Sequence, residues 1–521
     1  MPDFELALLL LMAVAVIVTI ARKLGIPYPI LLVIAGLVLG FVPGIPQVKL
    51  EPELVLVIFL PPLILSAAWQ TPVRDLRRNL RAVLLLSVGL VLFTTLIVGL
   101  IAYATTPALS LAAAFLLGAI VSPTDALAAT TVLRRLNVPR RIVSILEEES
   151  LVNDATALTL YRTALVATAT GVFVFTDAIG SFALATLGGI IVGLAVALAV
   201  DFIWSRLFDP PVEVTLSLLI PYAAYLPAER LGASGVIAAV TAGLYLGYRS
   251  PRILKSDARI LATAVWQILI FVLNGFAFVL IGLQLPAVLA GLEDRSMTNL
   301  LVQAALVCIA VIAARFIWIY GLLYAPVILH RVAGRPQPSR VSPAVPLVAS
   351  WAGLRGAVSL AAALALPLHL PERNLIIFLT FAVILVTLVG QGLTLPLLLK
   401  RMGLVDGGEA ADEETRARTV ATEAALSQLA ALRDRWPGHI PLIENLEERY
   451  RHRVEHLPLQ ADANSDSEQE RLEHRAILNA VISAEREAVI GLRDRGVISD
   501  EILRRLEREL DLEELRMEAD I

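Results

Sequence analysis

V-S-P-T-D-A at Val121–Ala126 sets a proline and a carboxylate in the middle of an otherwise apolar run, 109–134. Proline removes a helix hydrogen bond and disfavours helical geometry at the residue before it, here Ser122. A second apolar run, 345–366, contains W-A-G-L-R-G-A at Trp351–Ala357, with Gly353 and Gly356 on either side of Arg355. Two long apolar segments, each interrupted near its middle beside a charge, are what the rest of the chain must accommodate.

The surroundings are those of a membrane protein. Of 521 residues, 57% are apolar and 17% charged, against about 45–50% and about 25% in soluble domains. Mean hydropathy is +0.75. This excludes a soluble enzyme. The single cysteine, Cys308, excludes a disulfide framework or a cysteine-rich metal site, and a net charge of −4 gives no reason to expect nucleic acid as a partner. Residues 1–401 hold 27 basic and 19 acidic side chains, whereas residues 402–521 hold 16 and 28 and lack any long apolar run. The reading is a membrane domain over 1–401 and an acidic cytoplasmic domain over 402–521, with tail helices near 410–435, 441–456, 468–495 and 499–518.

Segments long enough for about 30 Å of hydrocarbon fall at 4–22, 27–43, 51–69, 81–104, 109–134, 145–172, 178–205, 213–228, 231–248, 259–285, 299–328, 345–366 and 374–400. Asp3 and Glu5 stand at its start where a cleaved signal would have a basic region, so the first reads as a retained helix. With the amino terminus outside, the inner loops contain 20 Lys and Arg and the outer loops 4. By the positive-inside rule the tail is then cytoplasmic. The fold class is all-α: a polytopic protein with about 13 transmembrane helices, two inverted six-helix repeats and a small helical cytoplasmic tail. The broken segments are the fifth member of each repeat.

Six charges inside these spans, away from the residues that flank their ends, are candidates for a function: Asp125, Glu149, Asp154, Arg162, Arg315 and Arg355. Each costs roughly 2.5–3.5 kcal/mol at a helix centre unless it is paired or hydrated. Asp125, Asp154 and Arg355, on three helices, all fall about 14–15 Å from the cytoplasmic face at 1.5 Å per residue. Matched interruptions at the midplane point to a binding site there. In E-E-E-S-L-V-N-D (Glu147–Asp154), Ser150 and Asp154 share one helix face, and Glu149 and Asn153 the next. Carboxylates, a hydroxyl and freed backbone carbonyls suit an alkali cation, and no nearby His or Cys offers itself to a transition metal. Burial disfavours an ionised carboxylate, so one such group can hold a proton or a cation but not both. Arg162 reads as a structural ion pair or a snorkelling side chain, Asp201 as interfacial and Gln391 as packing.

L-P-P-L-I-L (Leu60–Leu65), S-P-T-D (Ser122–Asp125), E-S-L-V-N-D (Glu149–Asp154), A-A-R (Ala313–Arg315) and G-L-R-G-A (Gly353–Ala357) together resemble sodium/proton exchangers of the monovalent cation:proton antiporter-1 family. The resemblance implies a homodimer in the cell (inner) membrane, with a core domain moving against a panel-like interface domain and with crossed, broken helices. It implies exchange of Na+ (or Li+) for H+ without a cofactor. It makes Asp154 the ion and proton carrier, with Asp125, the Thr124 carbonyl and the Ser150 hydroxyl completing the metal shell. Asn153 stands where electrogenic relatives have a second aspartate, which implies electroneutral exchange. Glu149 would pair with Arg315 as a core salt bridge, and Arg355 would steady the crossing. Many relatives carry an acid directly after L-P-P-x-x-L; here it is Ser66, which keeps a K+/H+ antiporter open. An intramembrane aspartyl protease, the remote alternative, would set its aspartates in Y-D and G-x-G-D contexts, absent around Asp125 and Asp154.

Overall fold

The computed structural model describes residues 2–24, 26–42, 52–125, 129–131, 133, 138–171, 175–293, 295–332, 343–402, 409–456 and 480–492, with isolated positions up to 512. The described chain divides into two compact units, 1–405 and 406–521. In the first, α1 (Pro2–Leu24), α2 (Tyr28–Gly40) and α3 (Pro52–Gln70) are followed by α4 (Val73–Thr105), α5 (Leu111–Val121) and α6 (Arg140–Thr170). Next come α7 (Phe175–Trp204), α8 (Pro210–Arg230), α9 (Gly235–Ile253), α10 (Ser256–Ala290) and α11 (Met297–Val332). The short helices α12 (Ala344–Trp351) and α13 (Ala357–Leu364) precede α14 (Arg373–Met402).

The predicted spans fall on these helices, and both predicted interruptions are real breaks. Helix α5 ends at Val121 and residues 122–125 are non-helical; α12 ends at Trp351 and α13 begins at Ala357. Among the described residues, five helices are by length and hydropathy alone sufficient to cross a membrane. The spans at 213–228 and 231–248, separated in sequence only by a few polar residues, are distinct helices. Gly232 makes the turn between them with φ 74°, a conformation that costs glycine little. The Ser234 hydroxyl then caps α9 by accepting from the Ile237 N–H at 3.3 Å.

Packing sorts the helices into two bundles. One contains α1, α2, α3, α7, α8, α9 and α10, with α2 laid closely along α10 and α9 between α3 and α7. A side chain at Gly36 of α2 would strike the Val279 carbonyl of α10, so helix axes this close require glycine. The other bundle contains α4, α5, α6 and α11 to α14. Its helices α4 and α14 each contain a π-turn, Leu85–Gly89 and Val386–Gln391. Such turns release backbone groups from the ladder: the Leu85 carbonyl accepts from Trp318 Nε1 of α11 at 3.0 Å.

The second unit contains α15 (Glu409–Arg435), a 3-10 turn at Pro437–His439 and α16 (Ile440–His456), and residues 480–492 are helical. Most of the predicted tail helix 499–518, and the loop charges Lys49, Arg134, Arg135, Arg335 and Arg340, lie outside the described residues.

Candidate functional site

The two breaks meet. The backbone N–H of Asp125 donates to the Leu354 carbonyl at 2.8 Å, joining positions far apart in the chain. Each break leaves helix ends with unpaired backbone groups inside the bundle, and a side chain of opposite sign answers each. Arg355 Nη1 donates to the Ser122 carbonyl at the C-terminal end of α5, where a cation suits the negative end of the helix dipole. The Asp125 carboxylate lies against Gly356, immediately before the N-terminus of α13, where an anion is favoured. A Cβ at position 356 would collide with that carboxylate. Arg355 is 0% exposed; its backbone N–H donates to Thr387 Oγ1 at 3.2 Å, in the π-turn of α14, while its Nε and Nη2 have no partner among the described residues.

Helix α6 passes this crossing with the motif Glu149–Asp154. Glu149, buried, forms a two-pronged ion pair with Arg315 of α11: Nη1 to Oε1 at 2.5 Å and Nη2 to Oε2 at 3.0 Å. Arg315 Nε donates to the Ala349 carbonyl of α12 at 3.0 Å, so one guanidinium ties α6, α11 and α12 together. Thr124 joins this pair to the break. Its hydroxyl donates to Glu149 Oε1 at 3.0 Å and accepts from Asn153 Nδ2 at 2.8 Å. A hydroxyl has one proton to give, so the first bond fixes the second, and with it the amide of Asn153. Asn153 Oδ1 is buried with no partner among the described residues. Ser150 Oγ donates to the Thr124 carbonyl at 2.8 Å.

Asp154 differs from its neighbours. It lies one helical turn beyond Ser150, partly buried, within reach of the charge of Asp125. Among the described residues its carboxylate has no ion pair and no hydrogen bond. Thus Thr124, Asp125, Glu149, Ser150, Asn153, Arg315 and Arg355 form one connected polar cluster, with Asp154 at its edge and unlocked.

Four contacts leave no clear mark on the sequence. Thr124 was expected to act through its carbonyl alone, but its hydroxyl bridges Glu149 and Asn153. Arg162 pairs with Glu229 at the end of α8, a residue taken as part of a short loop. Glu148 is 1% exposed and accepts from Asn79 Nδ2 at 3.2 Å. Asn79 is a polar residue on the buried face of an amphipathic stretch, and that was the available signal. Ser66 is buried and its Oγ accepts from Gln70 Nε2 at 3.2 Å. Asp201 accepts from Tyr245 and Arg249.

Two chain breaks crossed inside a bundle of apolar helices, with a carboxylate beside them that has no partner among the described residues, are the arrangement expected of the ion site of a multi-pass secondary transporter. The transmembrane sodium/hydrogen exchanger family matches residues 9–401, and the chain belongs to that family. A Na(+)/H(+) exchanger of Mycobacterium tuberculosis is 36% identical over 529 residues, covering 98% of this chain and 96% of that one. A sodium, potassium, lithium and rubidium/H(+) antiporter of Bacillus pumilus is 33% identical, covering 83% and 66%. The solved structure of the sodium proton antiporter MjNhaP1 from Methanocaldococcus jannaschii matches with a TM-score of 0.59 at 23% identity, covering 77% of this chain and 99% of that one. Cation/proton antiport across the cell membrane is the activity of this protein.

Proposed function

We propose that the protein exchanges cytoplasmic Na+ (or Li+) for external H+, one for one, by competition of the two ions for Asp154. The supporting observation is the contrast within one helix motif. Glu149 is neutralised by Arg315, whereas Asp154 has no ion pair among the described residues. An unlocked, partly buried acid needs a proton or a cation to offset its charge, and either ion satisfies it. In this reading Asp154, Asp125, the Thr124 carbonyl and the Ser150 hydroxyl hold the ion. Ser150 now donates to that carbonyl, so a cation entering would turn the hydroxyl and replace a bond worth about 0.5–1.5 kcal/mol. Asn153 is neutral and engaged with Thr124; with one titrating group per cycle the exchange is electroneutral.

Alternating access would come from the crossing bundle moving against the panel formed by α1 to α3 and α7 to α10. The working unit would be a homodimer, with the amino terminus outside and the tail in the cytoplasm. A broader cation range, including K+, is favoured by one feature. Ser66 offers a neutral oxygen, already engaged with Gln70, where a carboxylate would add charge. A weaker field discriminates less sharply against larger, more weakly hydrated ions.

In proteoliposomes, adding Na+ should dissipate an imposed pH gradient, and Asp154→Asn should abolish this. Normal exchange by that variant would defeat the assignment. Competition further requires the half-saturating Na+ concentration to rise as pH falls, by up to tenfold per unit, while the maximal rate holds. Clamping the membrane potential should leave the rate unchanged, and a cation series would decide between the two ion ranges.

A further inference from the structure

Helix α4 is 33 residues long, about 50 Å at 1.5 Å per residue, which exceeds the hydrocarbon thickness by several turns. The excess is its first segment, V-R-D-L-R-R-N-L-R-A-V-L at Val73–Leu84. At 100° per residue, Arg74, Arg77, Arg78 and Arg81 fall within one arc of about 100°. The segment's single acid, Asp75, lies outside that arc. All four arginines are exposed, and none has an ion pair among the described residues. Leu80 and Leu84, 47% and 46% exposed, border the arc on one side. Asn79 and Val83, both buried, border those leucines in turn and pack inward.

The order around the helix is therefore core, exposed apolar, basic. Orientation by positive charge explains arginines on the cytoplasmic side; it does not explain four of them in one arc beside exposed leucines. That arrangement is expected of a helix segment in the headgroup layer, with leucines toward acyl chains and guanidinium groups at phosphate level. We propose that the arginine face of α4 binds anionic phospholipid of the cytoplasmic leaflet. The exposed leucines and the direct continuation into an apolar span favour lipid over an acidic protein segment as the occupant.

This face also has a route to the transport site. Asn79, on the inner side of the same segment, donates to Glu148, which is two residues from Ser150 on α6. A headgroup that orders α4 would steady the cytoplasmic end of the helix carrying Asp154.

The test is binding, which does not depend on antiport. The full-length protein in neutral detergent should gain several degrees of thermal stability from phosphatidylglycerol. Phosphatidylcholine of the same chains and soluble glycerol phosphate should give no gain. Arg77→Gln and Arg78→Gln should each lose part of the gain, and the quadruple glutamine variant should lose it. Replacement of all four by lysine should retain most of it. Equal gains from both lipids, an equal gain from the soluble phosphate, or a full gain in the quadruple variant would overturn the proposal. So would a fall in stability of the lysine variant's lipid response to the glutamine level.

Discussion

Helix α6 supplies one partner to each of two arginine–glutamate pairs, and the pairs differ in almost every physical respect. Glu149 and Arg315 have side chains 1% and 2% exposed, meet in two-pronged geometry, and both belong to the bundle that contains the crossed breaks. Arg162 and Glu229 have side chains 40% and 26% exposed and join α6 to α8 of the other bundle. Glu229 also accepts from the Gly235 N–H at 2.9 Å, and Arg162 Nη1 donates to the Ala233 carbonyl at 3.5 Å. The first pair is sealed within one bundle. The second lies across the boundary that must shift if one bundle moves on the other. One pair is therefore suited to hold a structure together, and the other to be made and broken.

The largest effect should come from the sealed pair. Removing one partner of a buried ion pair leaves an uncompensated charge and typically costs about 3–5 kcal/mol. Arg315→Ala should lower the yield of folded, monodisperse protein severely. Arg315→Met combined with Glu149→Gln removes both charges and should recover much of that yield. A well-folded but inactive Arg315→Ala would give this pair a direct part in transport and erase the contrast.

Next in size is the crossing itself. Gly356→Ala sets a methyl group into the Asp125 carboxylate, and overpacking of this kind costs about 1–3 kcal/mol. Because the obstruction falls on Asp125 and not on the Arg315 pair, exchange should fall more than folded yield does. Comparing transport per unit of purified protein with the yield checks this. Wild-type exchange would mean that the carboxylate can move aside freely.

This crossing marks how far the sequence could be read. Interruptions at Pro123 and around Arg355 were legible because proline and paired glycines disrupt a helix wherever they occur. The charges were legible because apolar spans make them conspicuous. That Asp125 N–H reaches Leu354 was not, since a backbone bond between distant segments leaves no mark on either. Nor was the role of the Thr124 hydroxyl, because threonine is common in membrane helices. Arg162 was legible as either an ion pair or a snorkelling side chain; Glu229 was obscured by its place at a helix end, where a charge is unremarked. The buried Glu148 was masked in the same way by the polar run Glu147–Glu149 in which it stands.

The smallest stability effect should come from the pair across the boundary. A half-buried ion pair is worth more than the about 0.2–1 kcal/mol of a fully exposed one and less than a sealed one, so Arg162→Gln and Glu229→Gln should cost less yield and thermal stability than Arg315→Ala does. Their effect should appear in rates. If the pair must part in each cycle, loss of either partner removes an interaction from one end state and shifts the balance between the two. The maximal exchange rate should then change by a few-fold in both variants, in the same direction. The half-saturating Na+ concentration should change with it only as far as the occupancy of the binding state shifts. The double variant should resemble either single one, since both delete the same contact. Unchanged rates in all three would make this pair as static as Glu149–Arg315, and the boundary it spans would then have to move elsewhere.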